Sequence, residues 1–286
     1  NQVRQFYDQV GWQITDEGMY QNARYEDLRP VAWDYIHRCH GRVKQHLAPQ
    51  GKYLLDAGSG PVQYPEYLTY SEKYTYRVCA DISIVALEEA RKRLKERGLY
   101  VVADVANLPF RKDAFEGIVS LHTLHHLPLE EQQKAYHEIG RVLKPGSSAV
   151  VVNGWTESPL MHAFIPLVRF SENIRKKLNR KKTDKNISVS ASAEQKEQKN
   201  TKPTGTYIEK MNPPWMKRVL AETGLPYDIR VWRSLNVRFQ RAMIFRRFFG
   251  KALLRLVFWL EEKFPHYLGE KGQYPLVVLR KPGGIR

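Results

Sequence analysis

Three short apolar runs in the first half of the chain each end in an aspartate: "YLLD" at 53–56, "YRVCAD" at 76–81 and "YVVAD" at 100–104. Short apolar runs bounded by turn residues read as buried strands. Between the second and third, "IVALEEARKRLKERG" (84–98) carries apolar or small residues at 84, 87, 90 and 94. That spacing predicts an amphipathic helix, with Gly98 as its stop. The third strand is expected over 99–110 and a fourth in "FEGIVSLHTLHHLP" (115–128). A helix follows in "EEQQKAYHEIGRVLKPG" (130–146), closed by Pro145-Gly146, and a fifth strand in "SSAVVVNGW" (147–155). Strands alternating with helices specify a parallel sheet with helices on both faces. Ligands of such sheets lie beyond the carboxyl ends of the strands, so Asp56, Asp81 and Asp104 are expected to present carboxylates along one ligand-facing edge.

The first of these acids runs into "DAGSGPVQY" (56–64). Gly58 and Gly60 permit backbone angles and close approaches that a Cβ forbids. A strand entering a glycine turn is how α/β proteins make a nucleotide pocket, and three strand-end acids in register with it make this edge a nucleoside site. A nicotinamide fingerprint, G-x-G-x-x-G, would need glycine where the chain has Gln63, which disfavours that class.

Residues 50–153 resemble the class I S-adenosylmethionine-dependent methyltransferases, nearest the ubiquinone/menaquinone-biosynthesis-type (type 11) branch. The resemblance rests on "LLDAGSG", "ADIS", "ADVANLPFRKDAFEGIVSLHTLHHL" and "EIGRVLKPGS" in that order. It implies an α/β, Rossmann-like, seven-stranded, mostly parallel sheet with an antiparallel last strand. "YDIRVWRSL" (227–235) and "YPLVVLRKP" (274–282) look like strands six and seven. It also implies S-adenosylmethionine as cofactor. Asp56 and Ala57, with the Gly58-Ser59-Gly60 turn, would meet the methionine end. Asp81 and Ile82 would meet the ribose, and Asp104 and Val105 the adenine, with Leu121 and His122 shaping the pocket. The family often has a third glycine where this chain has Val62, so Val62 and Gln63 are not expected to contact cofactor. No metal is implied.

His125 and His126 follow strand four on the ligand side, and an imidazole there has the proton affinity of a base near neutral pH. The resemblance makes residues 1–50 a helical lid and 51–286 the methyltransferase domain. In the lid, Tyr7, Trp12 and Tyr20 would touch cofactor or acceptor, while Arg24 or Arg29 would bind an acidic group.

Charge divides the chain. Residues 1–164 hold 19 Lys and Arg against 20 Asp and Glu, whereas residues 165–286 hold 27 against 10. This points to a neutral catalytic body with a basic attachment for an anionic partner. Two insertions fall in or next to the basic half. The first, about 155–206, begins apolar and becomes Lys-, Ser- and Gln-rich. Its stretch 174–205 has too few large apolar residues to pack and is expected to be mobile. The second, 236–272, is aromatic and basic and is expected to form helices. Over 236–264 it has the composition of an interfacial helix suited to an anionic membrane surface, with Arg247, Lys251 and Arg255 four apart.

Cys39 and Cys79 sit in no metal-ligand spacing and read as free thiols of a reducing compartment. No signal peptide or long uncharged apolar run appears, so a cytoplasmic chain, in reach of a membrane surface, is expected. Transfer of a methyl group to a small-molecule, glycan or lipid-linked acceptor, O-methylation first, is the leading functional expectation. The alternatives are an RNA methyltransferase using the basic half and a non-catalytic scaffold. "NPPW" (212–215) stands before a helix rather than after strand four, so Pro213 and Pro214 are expected to open that helix instead of binding a nucleobase.

Overall fold

The computed structural model describes residues 26–186, 211–245 and 249–283. Its sheet has seven strands: β1 (Gly51–Ala57), β2 (Tyr74–Asp81), β3 (Gly98–Val102), β4 (Phe115–Leu121), β5 (Leu143–Val152), β6 (Tyr227–Arg233) and β7 (Tyr274–Arg280). The order is β3-β2-β1-β4-β5-β7-β6. The pairs among β1 to β5 are parallel, and β7 runs antiparallel to both β5 and β6. The strand order reverses between β1 and β4, the switch point at which doubly wound sheets open a crevice for a ligand.

Helices α1 (Trp33–Gly41), α2 (Pro65–Thr69), α3 (Ile84–Leu94) and α4 (Leu129–Val142) belong to the first half. Helices α5 (Pro159–Asn186), α6 (Pro213–Glu222), α7 (Val237–Met243), α8 (Gly250–Lys263) and α9 (Pro265–Lys271) follow. The central strands are apolar on both faces, and two cores result. One joins α1, α3 and α8 through Tyr35, Ile36, Leu87, Ala90, Leu254 and Phe258. The other joins α4 and α6 through Tyr136, Ile139, Met216 and Leu220. Pro213 and Pro214 open α6 as foreseen, and Asn212 ahead of them caps it, its Oδ1 accepting from Trp215 N at 2.9 Å.

Several boundaries differ from the sequence reading. The residue that reverses the chain after α3 is Lys95, at φ 51°, and Gly98 already belongs to β3. Pro145-Gly146 does not close α4, because the chain passes straight into β5. There Gly146, at φ 78°, donates to Lys281 O at 2.8 Å. Strands three and four stop at Val102 and Leu121: Ala103 and His122 make one last backbone bond each, to Asp81 O and Val152 O, and the chain then leaves the sheet. The stretch beginning at 174, expected to be mobile, is helical as far as Asn186, where α5 ends. Residues 187–205 of that expectation lie outside the described residues, as does Arg247 of the second insertion.

Candidate active site

The glycine turn is shaped by its neighbours across the switch point. Gly58 has φ 73°, and a Cβ there would stand 2.1 Å from Thr123 Cγ2. Thr123 Oγ1 donates to Gly58 O at 2.9 Å, which locks the loop after β1 to the loop after β4. Gly60 and Val62 also have positive φ, at 52° and 53°. Asp81 ends β2 and organises both sides of the turn: Oδ2 accepts from Gly60 N and Oδ1 from Ser83 N, each at 2.9 Å. Two backbone donors fix the direction of this carboxylate.

Above the strand ends lies a cavity of about 550 Å³, a size within the range of roughly 300–1,000 Å³ that small-molecule sites occupy. One end is lined by Gly58, Ser59, Gly60, Asp81, Ile82, Asp104 and Val105. The other is lined by Tyr64, Tyr67, His122, Trp155, Arg233, Tyr274 and Glu26. Asp104 accepts from Ala106 N at 2.9 Å and from Asn107 Nδ2 at 3.1 Å, an arrangement that steadies the loop after β3.

Of the residues singled out from sequence, Gly58, Ser59, Gly60, Asp81, Ile82, Asp104, Val105, Leu121, His122, His125 and His126 line this cavity. Asp56 and Ala57 do not. The register sets Asp56 opposite Cys79, two positions behind Asp81. Its Oδ2 is taken by buried Arg77, which donates through Nε at 3.0 Å and through Nη2. Three acids therefore do not share one edge: Asp56 is a counter-ion inside the sheet. Arg29 has a structural partner set as well. It pairs with Asp27 at 2.6 Å and donates to Gln240 O and Ile244 O, which ties the segment before α1 to α7. Tyr7, Trp12, Tyr20 and Arg24 lie outside the described residues. Gln63, set aside from the sequence, lines the cavity.

His125, one of the two expected bases, and His122 beside it are poor proton acceptors. Burial first, then Arg233 and His40, pushes the His122 pKa down to about 3. His125 is also driven well below the ordinary imidazole value, by burial and then by His126 and His122. Its Nδ1 lies 3.4 Å from Asn153 Oδ1. Both rings are neutral at neutral pH and only weakly basic. His122 adopts φ 55°, a strained conformation for histidine, and its ring packs against Trp232 and Tyr274 at 4.8 and 5.6 Å.

The charged pair at the far end escaped the sequence reading. Arg233, the last residue of β6, is 1% exposed and ion-paired with Glu26. Its guanidinium stands 4.7 Å from the Tyr274 ring centre. Burial opposes its charge, and Glu26, Tyr274 and Cys39 together outweigh that opposition. Burial raises the pKa of Tyr64, Tyr67 and Tyr274, so all three stay protonated donors. The available signal was the arginine that follows Val231 and Trp232 at the end of "IRVWR".

Residues 55–151 match the family model described as "Methyltransferase domain". Residues 55–151 are thus a methyltransferase domain of the type 11 kind. Its cofactor is S-adenosylmethionine, and the cavity fits it: the turn after β1 has no room for a Cβ at Gly58, and Asp81 offers a fixed carboxylate. Among relatives of this methyltransferase domain, a probable tRNA methyltransferase 9B from Mus musculus is 30% identical over 138 residues, 47% of this chain and 29% of that protein. A phthiotriol/phenolphthiotriol dimycocerosates methyltransferase from Mycobacterium leprae (strain TN) is 30% identical over 142 residues, 46% of this chain and 52% of the other. The chain thus spans about half or less of these two relatives. A solved structure of Haemonchus contortus phosphoethanolamine N-methyltransferase 2, with phosphomonomethylethanolamine and S-adenosylhomocysteine, aligns with TM-score 0.55 at 16% identity. That alignment covers 98% of this chain and 60% of the nematode chain, and at such identity it speaks for the fold.

Proposed function

We propose that the chain methylates a hydroxyl group of a small or lipid-linked acceptor held at the Arg233 end of the cavity. The observation that carries this reading is the continuity of one cavity from Asp81 and Asp104 to Tyr64, Tyr67, His122, Arg233 and Tyr274. When bound, the cofactor supplies an electrophilic methyl group. The chain's part is then to orient the acceptor, exclude water and take up a proton. Protonated tyrosines and neutral imidazoles give the acceptor end donors and acceptors without a net charge to solvate. Glu26 is the anionic group there, held by Arg233, and would accept the proton that a hydroxyl releases as its oxygen takes the methyl group. A neutral Glu26–Arg233 pair also favours a neutral polar acceptor group over an anionic one.

A second reading, tRNA as acceptor, is favoured by the likeness to the probable tRNA methyltransferase 9B and by the cations after residue 165. A scaffold without chemistry would have no use for Asp81 held by two backbone donors beside a cavity of this size.

The test is titration calorimetry with S-adenosylhomocysteine on wild type and Asp81→Ala, followed by transfer of labelled methyl from S-adenosylmethionine into lipid extract, small metabolites or tRNA. Two hydrogen bonds to a carboxylate are together worth about 3–6 kcal/mol, so the variant should bind at least about a hundredfold more weakly. Unchanged affinity in a folded variant would remove Asp81 from the site. Label in the tRNA fraction alone would replace the first reading with the second.

A further inference from the structure

Helix α8 is anchored by one face and leaves the other without a cover among the described residues. Gly250, Leu254, Phe258 and Glu261 are buried. At 100° per residue the opposite face carries Phe249, Ala252, Leu256, Trp259 and Lys263. A polar outer face is the rule for a surface helix. Here Phe249 is 88% exposed, Leu256 51% and Trp259 53%, and Phe264 and Tyr267 prolong the apolar surface toward α9. Phe249 also holds φ 46°, so a bulky residue is kept in a strained conformation with its ring in solvent.

The charges around this face are one-sided. Both acids of α8 are taken by Arg42: Glu261 inside the protein at 2.9 Å and Glu262 at its rim at 2.8 Å. Lys251, Arg255 and Lys263 are exposed, with no acidic partner recorded for them. Helix α5 repeats the pattern. Leu167, Phe170 and Ile174, spaced three and four apart, are 44%, 63% and 42% exposed, and Arg175, Lys176 and Lys177 follow. The two helices adjoin through α7 and the residues after it. Ser171 Oγ donates to Ala242 O at 2.7 Å, Arg175 Nη2 donates to Arg241 O at 2.9 Å, and the Arg175 guanidinium lies 5.4 Å from the Phe245 ring centre.

We propose that the outer faces of α8 and α5 dock on an anionic lipid bilayer. Aromatic and aliphatic side chains enter the boundary between headgroups and acyl chains, while the flanking lysines and arginines meet lipid phosphates. No described helix is long and apolar enough to cross a membrane, so the contact is interfacial. A protein partner of equal apolarity would have to bring acids to match at least three cations; an anionic bilayer presents them everywhere. The surface is also wired to the cavity. Arg241 Nη2 donates to the backbone oxygen of Glu26 at 2.9 Å, and Arg29 ties the same segment to Gln240 and Ile244. Docking would therefore brace the wall that carries Glu26, beside an acceptor delivered from the bilayer.

The experiment is co-sedimentation of the full chain with vesicles of phosphatidylcholine alone or mixed with phosphatidylglycerol, at low and high salt. Binding should appear on the mixed vesicles and fall with salt, because the screening length shrinks from about 10 Å at 0.1 M to 3 Å at 1 M. Lys251→Gln combined with Arg255→Gln should weaken partitioning roughly thirtyfold, at about fivefold per charge. Leu256→Ser combined with Trp259→Ser should weaken it further. All four positions lie outside the cavity, so titration with S-adenosylhomocysteine reports that the variants are folded and separates this result from the proposed chemistry. Equal binding to both vesicle types, or none, overturns the proposal. So does a dimer in sedimentation equilibrium that Leu256→Ser dissolves, which would make a second copy the occupant. Slow hydrogen exchange of an outer face that no vesicle deprotects would assign the cover to another segment of the chain and overturn it equally.

Discussion

Asp56 stands behind the sheet edge and Asp81 upon it, and the difference is a matter of strand register. Alternation along β1 puts Asp56 on the face of Leu54, where Arg77 from β2 meets it. Both side chains are buried, with exposures of 3% and 1%. Removing one partner of a buried pair strands the other charge, so Asp56→Ala should lower unfolding free energy by about 3–5 kcal/mol, read from urea denaturation. Any loss of cofactor affinity in that variant should follow the loss of fold, whereas Asp81→Ala should lose affinity with most of its stability retained. The sequence did contain the distinguishing signal: Arg77 is a cation within an otherwise apolar strand, and such a residue demands a buried anion. Which anion it takes depends on how two strands align. That is a through-space fact, invisible in either run alone, and the same holds for Glu26 and Arg233, 207 residues apart.

At the scale of elements, α8 illustrates what periodicity conveys and what it omits. Helices within 236–272, and the aromatic and basic composition of 236–264, were legible. The anchor of α8 was not. Glu261 accepts from Tyr35 Oη at 2.7 Å, from Ser234 N at 2.8 Å and Oγ at 2.6 Å, and from Arg42 Nη1 at 2.9 Å. One carboxylate thus joins α1, α8 and the chain just beyond β6. Glu261→Ala should cost about 3–5 kcal/mol, because the buried side of Arg42 loses its carboxylate and Tyr35 and Ser234 lose their shared acceptor. Glu262→Ala, at the exposed end of the same arginine, should cost under about 1 kcal/mol. Equal effects in chemical denaturation would mean that the inner network does not hold the helix. The five parallel strands were readable because burial on both faces writes continuous apolar runs, whereas the reversal at strand seven came from the family resemblance. The ends of α3 and α4 were misread because a lysine at positive φ and a direct helix-to-strand passage leave no glycine signature.

For the whole molecule, three buried histidines set an acid limit. Burial is the first cause that lowers the pKa of His40, His122 and His125 in the folded chain. Unfolded, each returns to about 6.5. Between those values the unfolded chain binds more protons. Their contribution to stability is therefore complete above about pH 6.5 and is lost as pH falls, for His122 down to about 3. The slope should reach about 1.4 kcal/mol per pH unit for each histidine. Thermal melts across this range should show a falling Tm. His122→Asn should shallow the fall, since asparagine tolerates the left-handed backbone found there. A flat profile in the wild type would mean that these rings are wet. Within the same architecture, Arg233 and Tyr274 face each other as register partners of β6 and β7, although the 40 residues from Ser234 to Gln273 separate them. The sheet, not the intervening chain, sets their distance. The outward face of the helical segment between them can therefore be rewritten over generations while Arg233 and Tyr274 keep their spacing, so surface and cavity can evolve on separate schedules.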